Sequence, residues 1–96
     1  EAKSVLRRTI PVVRRVLGKS DEFTLRMRCI YAIALYEDDF ATLDDLREAV
    51  STLEDTGRIA RRVLGGSHPF TRTIEQDLRR SQATLASRET PSSEAS

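Results

Sequence analysis

The stretch that decides the fold is residues 53–71, LEDTGRIARRVLGGSHPFT, because residues 6–24, LRRTIPVVRRVLGKSDEFT, carry nearly the same sequence. At an offset of 47 positions, 10 of the 19 aligned residues are identical, including the run Arg-Arg-Val-Leu-Gly and the final Phe-Thr. A period of this length is typical of stacked supersecondary units, each of which needs a neighbour to bury its apolar face. The repeat therefore predicts a binding scaffold and argues against a catalyst.

Apolar residues recur every three or four positions in four segments, which is the spacing of one face of an α-helix. The predicted helices cover residues 2–18, 23–36, 43–65 and 69–88. In this organisation residues 23–65 form a full helix pair, preceded by the second helix of a partial repeat and followed by a terminal helix. Residues 1–88 form one all-α domain, and residues 89–96, which contain little that can be buried, form a flexible tail.

Residues that start, stop or disturb helices mark the boundaries. Gly18 is expected to end the first helix, Ser20 to cap the second, and Thr42 with Asp45 to cap the third. Pro11 lies inside the first predicted helix, where it removes a backbone hydrogen bond and costs about 3 kcal/mol if nothing relieves it. The first helix is therefore expected either to kink at Pro11 or to begin there.

The apolar positions of the middle helices predict how they pack. In the second helix one side carries Phe23, Met27, Ile30, Tyr31, Ala34 and Leu35. In the third helix the seam is Leu43, Leu46, Val50, Leu53, Gly57, Ala60 and Leu64. Such regular steps also occur in coiled coils. Gly57 and Ala60 leave room for a neighbouring helix, however, so packing inside a helical hairpin is the favoured prediction.

Composition narrows the classes of function. Among the 96 residues, 16 are basic and 15 acidic, so the strong positive field that non-specific nucleic-acid binding needs is missing. No apolar run approaches the ~20 residues that span a bilayer, so we expect a soluble chain without membrane insertion. A lone cysteine, Cys29, excludes an intramolecular disulfide and fits the reducing cytoplasm, with an organelle left open. The first residue, Glu1, is not Met, and we expect a fragment or a processed chain.

The residue pattern contains no convincing catalytic or cofactor site. Cys29 and His68 are the only thiol and imidazole, and a whole helix pair separates them, so we predict no nucleophile-base pair and assign His68 to the turn before the last helix. The acidic residues between positions 37 and 45 lack the ligand spacing and central glycine of a calcium loop. Gly65-Gly66 is a helix stop and not a phosphate loop. We therefore predict no enzyme, no metal and no cofactor.

Arginine supplies 14 of the 16 basic residues, and many of the arginines stand in adjacent pairs. The pairs are Arg7-Arg8, Arg14-Arg15, Arg61-Arg62 and Arg79-Arg80. Neighbours on a helix are about 100° apart, so a pair flanks a face that it can cover with its alkyl stems or use to reach acids. Solvated helix sides are the first interpretation and a partner surface the second. Nucleic acid is the third, because the aromatic residues that would stack on bases are missing.

The repeated junction resembles a known family. The string LRRTIPVVRRVLG at residues 6–18, followed by a Ser-x-x-Phe-Thr turn, is similar to the junction between two tetratricopeptide repeats of the kinesin light chain type. The second copy is closer, because VLG at residues 63–65 and HPFT at 68–71 resemble that family's Leu-Gly-x-x-His-Pro-x-Thr. YAIALY at residues 31–36 looks like the signature of its first helix. The resemblance covers most of residues 4–85 and implies antiparallel helix-hairpin repeats, a fragment of a right-handed α-solenoid.

The register that this resemblance implies places a partner-binding groove on the second and last helices. Its expected residues are Arg26, Cys29, Ile33, Tyr36 and Glu37 in the second helix and Thr73, Gln76, Arg80 and Ala83 in the last. We therefore expect a non-enzymatic adaptor or scaffold that binds a peptide, a helix or a neighbouring subunit through its concave side. The alternative is a structural subunit or a piece of a larger assembly, and nucleic-acid binding is the weakest hypothesis.

Overall fold

The computed structural model describes residues 2–89, which form four helices and no strand. These are α1 (Ala2–Leu17), α2 (Glu22–Tyr36), α3 (Leu43–Val63) and α4 (Pro69–Glu89). The all-α prediction is confirmed. Glu89 belongs to α4 and not to the predicted tail, while the rest of that tail, residues 90–96, lies outside the described residues.

The two repeated junctions have the same backbone geometry. Gly18 and Gly65 end α1 and α3 with φ angles of 95° and 96°, a region that glycine adopts without the steric cost of a Cβ atom. The Gly18 N–H donates to the Arg14 carbonyl (2.9 Å), and the Gly65 N–H donates to the Arg61 carbonyl (3.1 Å). Val16 and Val63, just before the two ends, are both exposed. The junctions are therefore equivalent corners of successive helix pairs.

Residues at equivalent positions also cap the helices that follow. The Phe23 N–H donates to Asp21 Oδ1 (2.8 Å), and 47 residues later the Phe70 N–H donates to His68 Nδ1 (3.1 Å). The prediction that His68 serves this turn is confirmed. The prediction that Ser20 caps α2 is wrong, because α2 begins at Glu22 and the cap position immediately before it is Asp21.

The capping box predicted for α3 is confirmed. The Asp45 N–H donates to Thr42 Oγ1 (3.0 Å), and the Thr42 N–H donates to Asp45 Oδ2 (3.1 Å). Each side chain thus satisfies a backbone group that the first helical turn leaves free. This local pairing fixes the point at which the chain leaves the α2–α3 loop.

The first helix passes through Pro11 instead of beginning there. It starts at Ala2, so the prediction of a start at Pro11 is wrong. Contacts with α2 and the loop after it hold the segment before the proline: Lys3 forms an ion pair with Asp38 of that loop, and Arg7 Nε donates to the Tyr31 hydroxyl of α2 (2.9 Å). These contacts offset part of the backbone hydrogen bond that proline cannot make.

Consecutive helices pack against each other in antiparallel fashion. Arg28, midway along α2, pairs with Asp55 in the second half of α3 (2.9 Å). Arg61, near the end of α3, pairs with Glu75 near the start of α4 (2.6 Å). Lys3 at the start of α1 reaches the residues just after α2 in the same way. The four helices therefore form consecutive antiparallel hairpins, with α2 in contact with each of the other three.

The central position of α2 changes which of its residues are buried. Phe23 and Ile30, both on the predicted apolar side, are exposed, whereas Leu25, Cys29 and Ala32 are buried. The prediction of a single buried side is therefore wrong for α2. Because neighbours cover α2 from several directions, its core positions do not follow one stripe.

The predicted seam of α3 is confirmed at four of its seven positions, while Leu43 is exposed and Val50 and Leu64 are half-buried. Leu46, Leu53, Gly57 and Ala60 are all buried. A Cβ atom added to Gly57 would lie 3.4 Å from Ile74 Cγ2, so the glycine lets α4 approach closely. This close approach occurs between the helices of a hairpin within one chain, as the sequence favoured.

Candidate protein-binding surface

The residues predicted to form a groove lie on α2 and α4, which run side by side in the same direction. Exposed members are Arg26, Glu37, Thr73, Gln76, Arg80 and Ala83; Ile33 is half-buried, and Cys29 and Tyr36 are buried. We call these nine residues the α2–α4 surface. The structure thus leaves six of the nine accessible to a partner and places the other three wholly or partly inside the packing.

Arg26 closes one end of the contact between α2 and α4. Its guanidinium carbon lies 4.4 Å from the centre of the Phe70 ring, a cation–π distance. Its Nε and Nη2 both donate to Glu22 Oε2, at 3.0 and 2.6 Å. These contacts therefore hold the Arg26 side chain in one position at the surface.

Asp77 of α4 ties the buried part of α2 to α4. The Tyr36 hydroxyl donates to Asp77 Oδ1 (3.0 Å), and the Cys29 thiol contacts Asp77 Oδ2 (3.9 Å). All three side chains are buried. A buried carboxylate is costly unless hydrogen bonds stabilise it, so these contacts define how the two helices meet.

Burial also controls the chemistry of this cluster. It raises the pKa of the Cys29 thiol to about 12, and the negative charge of Asp77 and the contact with it act in the same direction. The pKa of Tyr36 is likewise raised to about 12, first by burial and then by the hydrogen bond to Asp77, while Arg80 lowers it. Because the thiolate is the nucleophilic form of cysteine, this environment makes Cys29 unreactive at neutral pH.

These pKa values predict a loss of stability at alkaline pH. The folded state keeps the Cys29 proton up to about pH 12, whereas an unfolded chain releases it near the ordinary cysteine pKa of 9.0. The stabilising contribution is thus complete below pH 9 and is lost as the pH rises toward 12, where the native state also ionises. The expected result is a urea midpoint that falls between about pH 8 and about pH 10.5.

Two conservative variants separate the contributions to this alkaline decrease. Cys29→Ala should remove the part that begins near pH 9, and Tyr36→Phe should remove the part that begins near pH 10, the ordinary pKa of tyrosine. Midpoints followed by circular dichroism across the pH range test both. Identical alkaline curves for the native chain and the double variant would contradict a buried cluster at α2 and α4.

The α4 side of the surface is a polar helix face. Thr73, Gln76, Arg80 and Ala83 are spaced by three, four and three residues, so they share one side of α4. Thr73 Oγ1 donates to the Pro69 carbonyl (3.0 Å), and Arg80 is exposed beside Tyr36. A face with amide, hydroxyl and guanidinium groups suits hydrogen bonds to a peptide backbone or to acidic side chains.

Two residues of α4 that contact α2 directly, Phe70 and Asp77, were not predicted from the sequence to belong to the surface. Phe70 had a signal, because it belongs to the repeated Phe-Thr pair. Asp77 had a weaker one: it occupies the position equivalent to Ile30, so an acid interrupts an apolar stripe.

Two surface recesses, of about 190 and 340 Å³, lie away from the α2–α4 surface. The first is lined by Ile10 and Tyr31 among others, and the second by Gly57 and Leu78 among others.

No metal site is visible in the part of the chain that the structure describes, since its His, Cys, Asp and Glu side chains do not cluster in groups of three. Within residues 2–89 every helix is also too short or too polar to cross a bilayer. Asp45, predicted to take part in the cap of α3, does so, and Asp38 Oδ1 accepts the Phe40 N–H (2.9 Å) in the loop before that helix.

The fold and the surface together define an all-helical protein of consecutive antiparallel hairpins with an exposed polar strip on α4 beside α2. No protein family model, curated protein or solved structure significantly matches the chain. The kinship with tetratricopeptide repeat proteins stays a prediction from the sequence.

Proposed function

We propose that this chain is a non-enzymatic interaction module of the tetratricopeptide type, which binds a peptide, a helix or a neighbouring subunit through the α2–α4 surface. The observation that carries the proposal is the side-by-side arrangement of two parallel helices from successive hairpins, with six of the nine predicted residues exposed. Solenoid proteins use equivalent helices of successive repeats to build extended binding surfaces. We place the chain itself in the cytoplasm, and a protein partner with acidic side chains near Arg80 fits this surface.

The chemistry of the surface favours binding over catalysis. The Cys29 thiol contacts a carboxylate that raises its pKa, which is the opposite of what an activated nucleophile needs. His68 Nδ1 accepts the Phe70 N–H in the cap of α4. Neither group has the arrangement in which a base activates a nucleophile, and this supports a binding role.

A second candidate function is that of a structural subunit within a larger assembly. It is supported by the large exposed apolar side chains, among them Val16, Ile30 and Phe40. Exposed apolar patches mark contact surfaces when they are contiguous. This candidate predicts that the isolated chain is poorly helical by circular dichroism and gains helicity inside a complex, whereas an adaptor module is helical on its own.

The adaptor function predicts that the two arginines of the surface contribute to affinity. Arg26→Gln combined with Arg80→Gln should weaken partner binding about tenfold or more, because guanidinium groups at the centre of an interface are among its strongest contributors. A photo-crosslinking residue at Gln76 identifies the partner in cells, and isothermal titration with that partner measures the affinity. Helicity should remain unchanged, since both side chains are exposed.

The matched control removes two arginines from α3 instead. Arg58→Gln with Arg62→Gln gives the same loss of charge away from the α2–α4 surface, and affinity should change less than about twofold. If the Arg26/Arg80 variant and the native chain bound the partner with equal affinity, the assignment of the α2–α4 surface as the binding site would be contradicted. Crosslinks that form equally well from Arg62 and from Gln76 would do the same.

A further inference from the structure

One side of α1 and α2 carries large apolar side chains that no described helix covers. On α1 these are Val5, Val12 and Val16, and on α2 they are Phe23 and Ile30. The three valines are spaced by seven and four residues, so they share one side of α1, and Phe23 and Ile30 are seven residues apart on α2. We call these five residues the open face.

The internal repeat indicates what the open face is built to hold. An offset of 47 residues carries α1 onto α3 and α2 onto α4. Phe23 is 54% exposed and Val12 51%, whereas their equivalents Phe70 and Ile59 are 9% and 5% exposed. The side chains of each pair are of the same chemical kind, so the difference lies in what covers them.

The helix that packs against the second copy is α2. It contacts both α3 and α4, and its Arg26 lies over the Phe70 ring at 4.4 Å. Within residues 2–89 no helix takes the corresponding place against α1 and α2. At Val12, Phe23 and Ile30 the open face is therefore the same kind of surface as the one that α2 already occupies one repeat later, whereas Val63, the equivalent of Val16, stays exposed there.

Two differences between the copies define what an occupant must look like. The first is Ile30, 55% exposed, at the position equivalent to Asp77, which is 7% exposed and accepts the Tyr36 hydroxyl. An occupant therefore needs an apolar group where α2 has Tyr36. A hydroxyl placed there would lose its acceptor.

The second difference is a reversal of charge. Asp55 of α3 pairs with Arg28 of α2 at 2.9 Å, and its equivalent in α1 is the exposed Arg8. Residues 2–17 contain no acidic side chain, and Arg15 lies one helical repeat beyond Arg8 on the same flank of the valines. An occupant therefore needs a carboxylate where α2 has Arg28.

We propose that the open face binds an acidic amphipathic α-helix of a partner protein, lying parallel to α2 as α2 lies against α4. A head-to-tail second copy fits poorly, because the outer side of α4 presents Thr73, Gln76 and Arg80, which are polar or basic. On α2 the open face adjoins the α2–α4 surface, because Glu37 lies seven residues beyond Ile30 on the same side of the helix. The proposal does not rest on the adaptor function, since it depends on the apolar residues and on Arg8 and not on Arg26 or Arg80.

The probe is a fluorescent peptide with the sequence of residues 21–37, DEFTLRMRCIYAIALYE, that carries Arg28→Glu, Cys29→Ala and Tyr36→Leu. The comparison peptide keeps Arg28 and has the other two changes. Fluorescence anisotropy with the full chain should show that the acidic peptide binds about fivefold more tightly than the comparison peptide. This factor is expected because the glutamate of the acidic peptide attracts the exposed Arg8, whereas Arg28 of the comparison peptide repels it. Arg8→Glu in the chain should reverse that preference.

Apolar variants test the rest of the open face. Phe23→Ser with Ile30→Ser should weaken binding of the acidic peptide by about tenfold or more, because these residues form its apolar centre. Phe40→Ser removes an even more exposed apolar side chain outside the open face and should leave the affinity unchanged. Circular dichroism verifies that each variant keeps the native helicity.

Three results would overturn the proposal. The first is no binding of the acidic peptide to the native chain, and the second is equal affinity for the two peptides. The third is self-association of the native chain in sedimentation velocity that Phe23→Ser with Ile30→Ser abolishes, since the occupant would then be a second copy. The Arg8→Glu reversal remains a valid test even if the apolar variant folds poorly, because Arg8 is exposed.

Discussion

Replacing Leu53 by alanine is expected to lower the free energy of unfolding by about 3 kcal/mol. Leu53 is fully buried in α3, within the core that joins α2, α3 and α4. The loss combines the transfer free energy of the removed methyl groups with the cavity that remains. A chain of 96 residues has a total stability of only ~5–15 kcal/mol, so this one change removes a large share of it.

The internal repeat supplies a matched control for this prediction. Leu6 occupies the equivalent position in α1, where it is only partly buried against the same core. Leu6→Ala should therefore cost about 1 kcal/mol, because less apolar surface returns to water and the site can collapse. Urea unfolding followed by circular dichroism measures both. Equal losses at the two positions would mean that the copies have the same surroundings, contrary to the structure.

Removal of the Asp77 carboxylate is the second large effect, with an expected loss of about 2 kcal/mol for Asp77→Ala. The variant leaves the Tyr36 hydroxyl buried without its acceptor at 3.0 Å, and the Cys29 thiol loses its contact as well. Asp77→Asn keeps one acceptor oxygen in the same place and should cost less than about 1 kcal/mol. Urea unfolding of the two variants gives the comparison.

A double-mutant cycle separates the hydrogen bond from other effects of the carboxylate. Tyr36→Phe removes the donor, so Asp77→Ala should be less damaging in the Phe background by about 1 kcal/mol. Additive losses would show that the hydroxyl and the carboxylate do not interact. A stability gain for Asp77→Ala alone would show that the desolvation of the carboxylate outweighs its hydrogen bonds.

The arginine pairs, for which three hypotheses were open, behave differently from one another. Arg7 donates to Tyr31 and lies 5.6 Å from the centre of its ring, and Arg61 donates from both Nε and Nη2 to Glu75 Oε2. These two link neighbouring helices within the chain. All eight arginines of the pairs are exposed. Arg8 and Arg15 lie beside the valines of the open face and Arg80 lies on the α2–α4 surface, so these three are the members that a partner bound at either surface would meet.

The extent to which the candidate surface was predictable differs between its two helices. On α4 the predicted spacing of Thr73, Gln76 and Arg80 corresponds to an exposed side, as the resemblance implied. On α2 the same reasoning chose Cys29 and Tyr36, which are buried by their contacts with Asp77. The sequence contains no local sign of that contact, because it depends on how closely two helices from different hairpins approach.

The sequence by itself determined the helices, the equivalence of the two junctions and the close packing at Gly57. These features depend on interactions between residues that are near in the chain, such as the Thr42 and Asp45 capping box, or on the lack of a side chain at one position. Only the tertiary structure decided which of two equivalent side chains is buried. Phe23 and Phe70 follow equivalent turns and each begins a Phe-Thr pair, but within residues 2–89 only Phe70 has a neighbouring helix over its ring, and burial is a property of the neighbours.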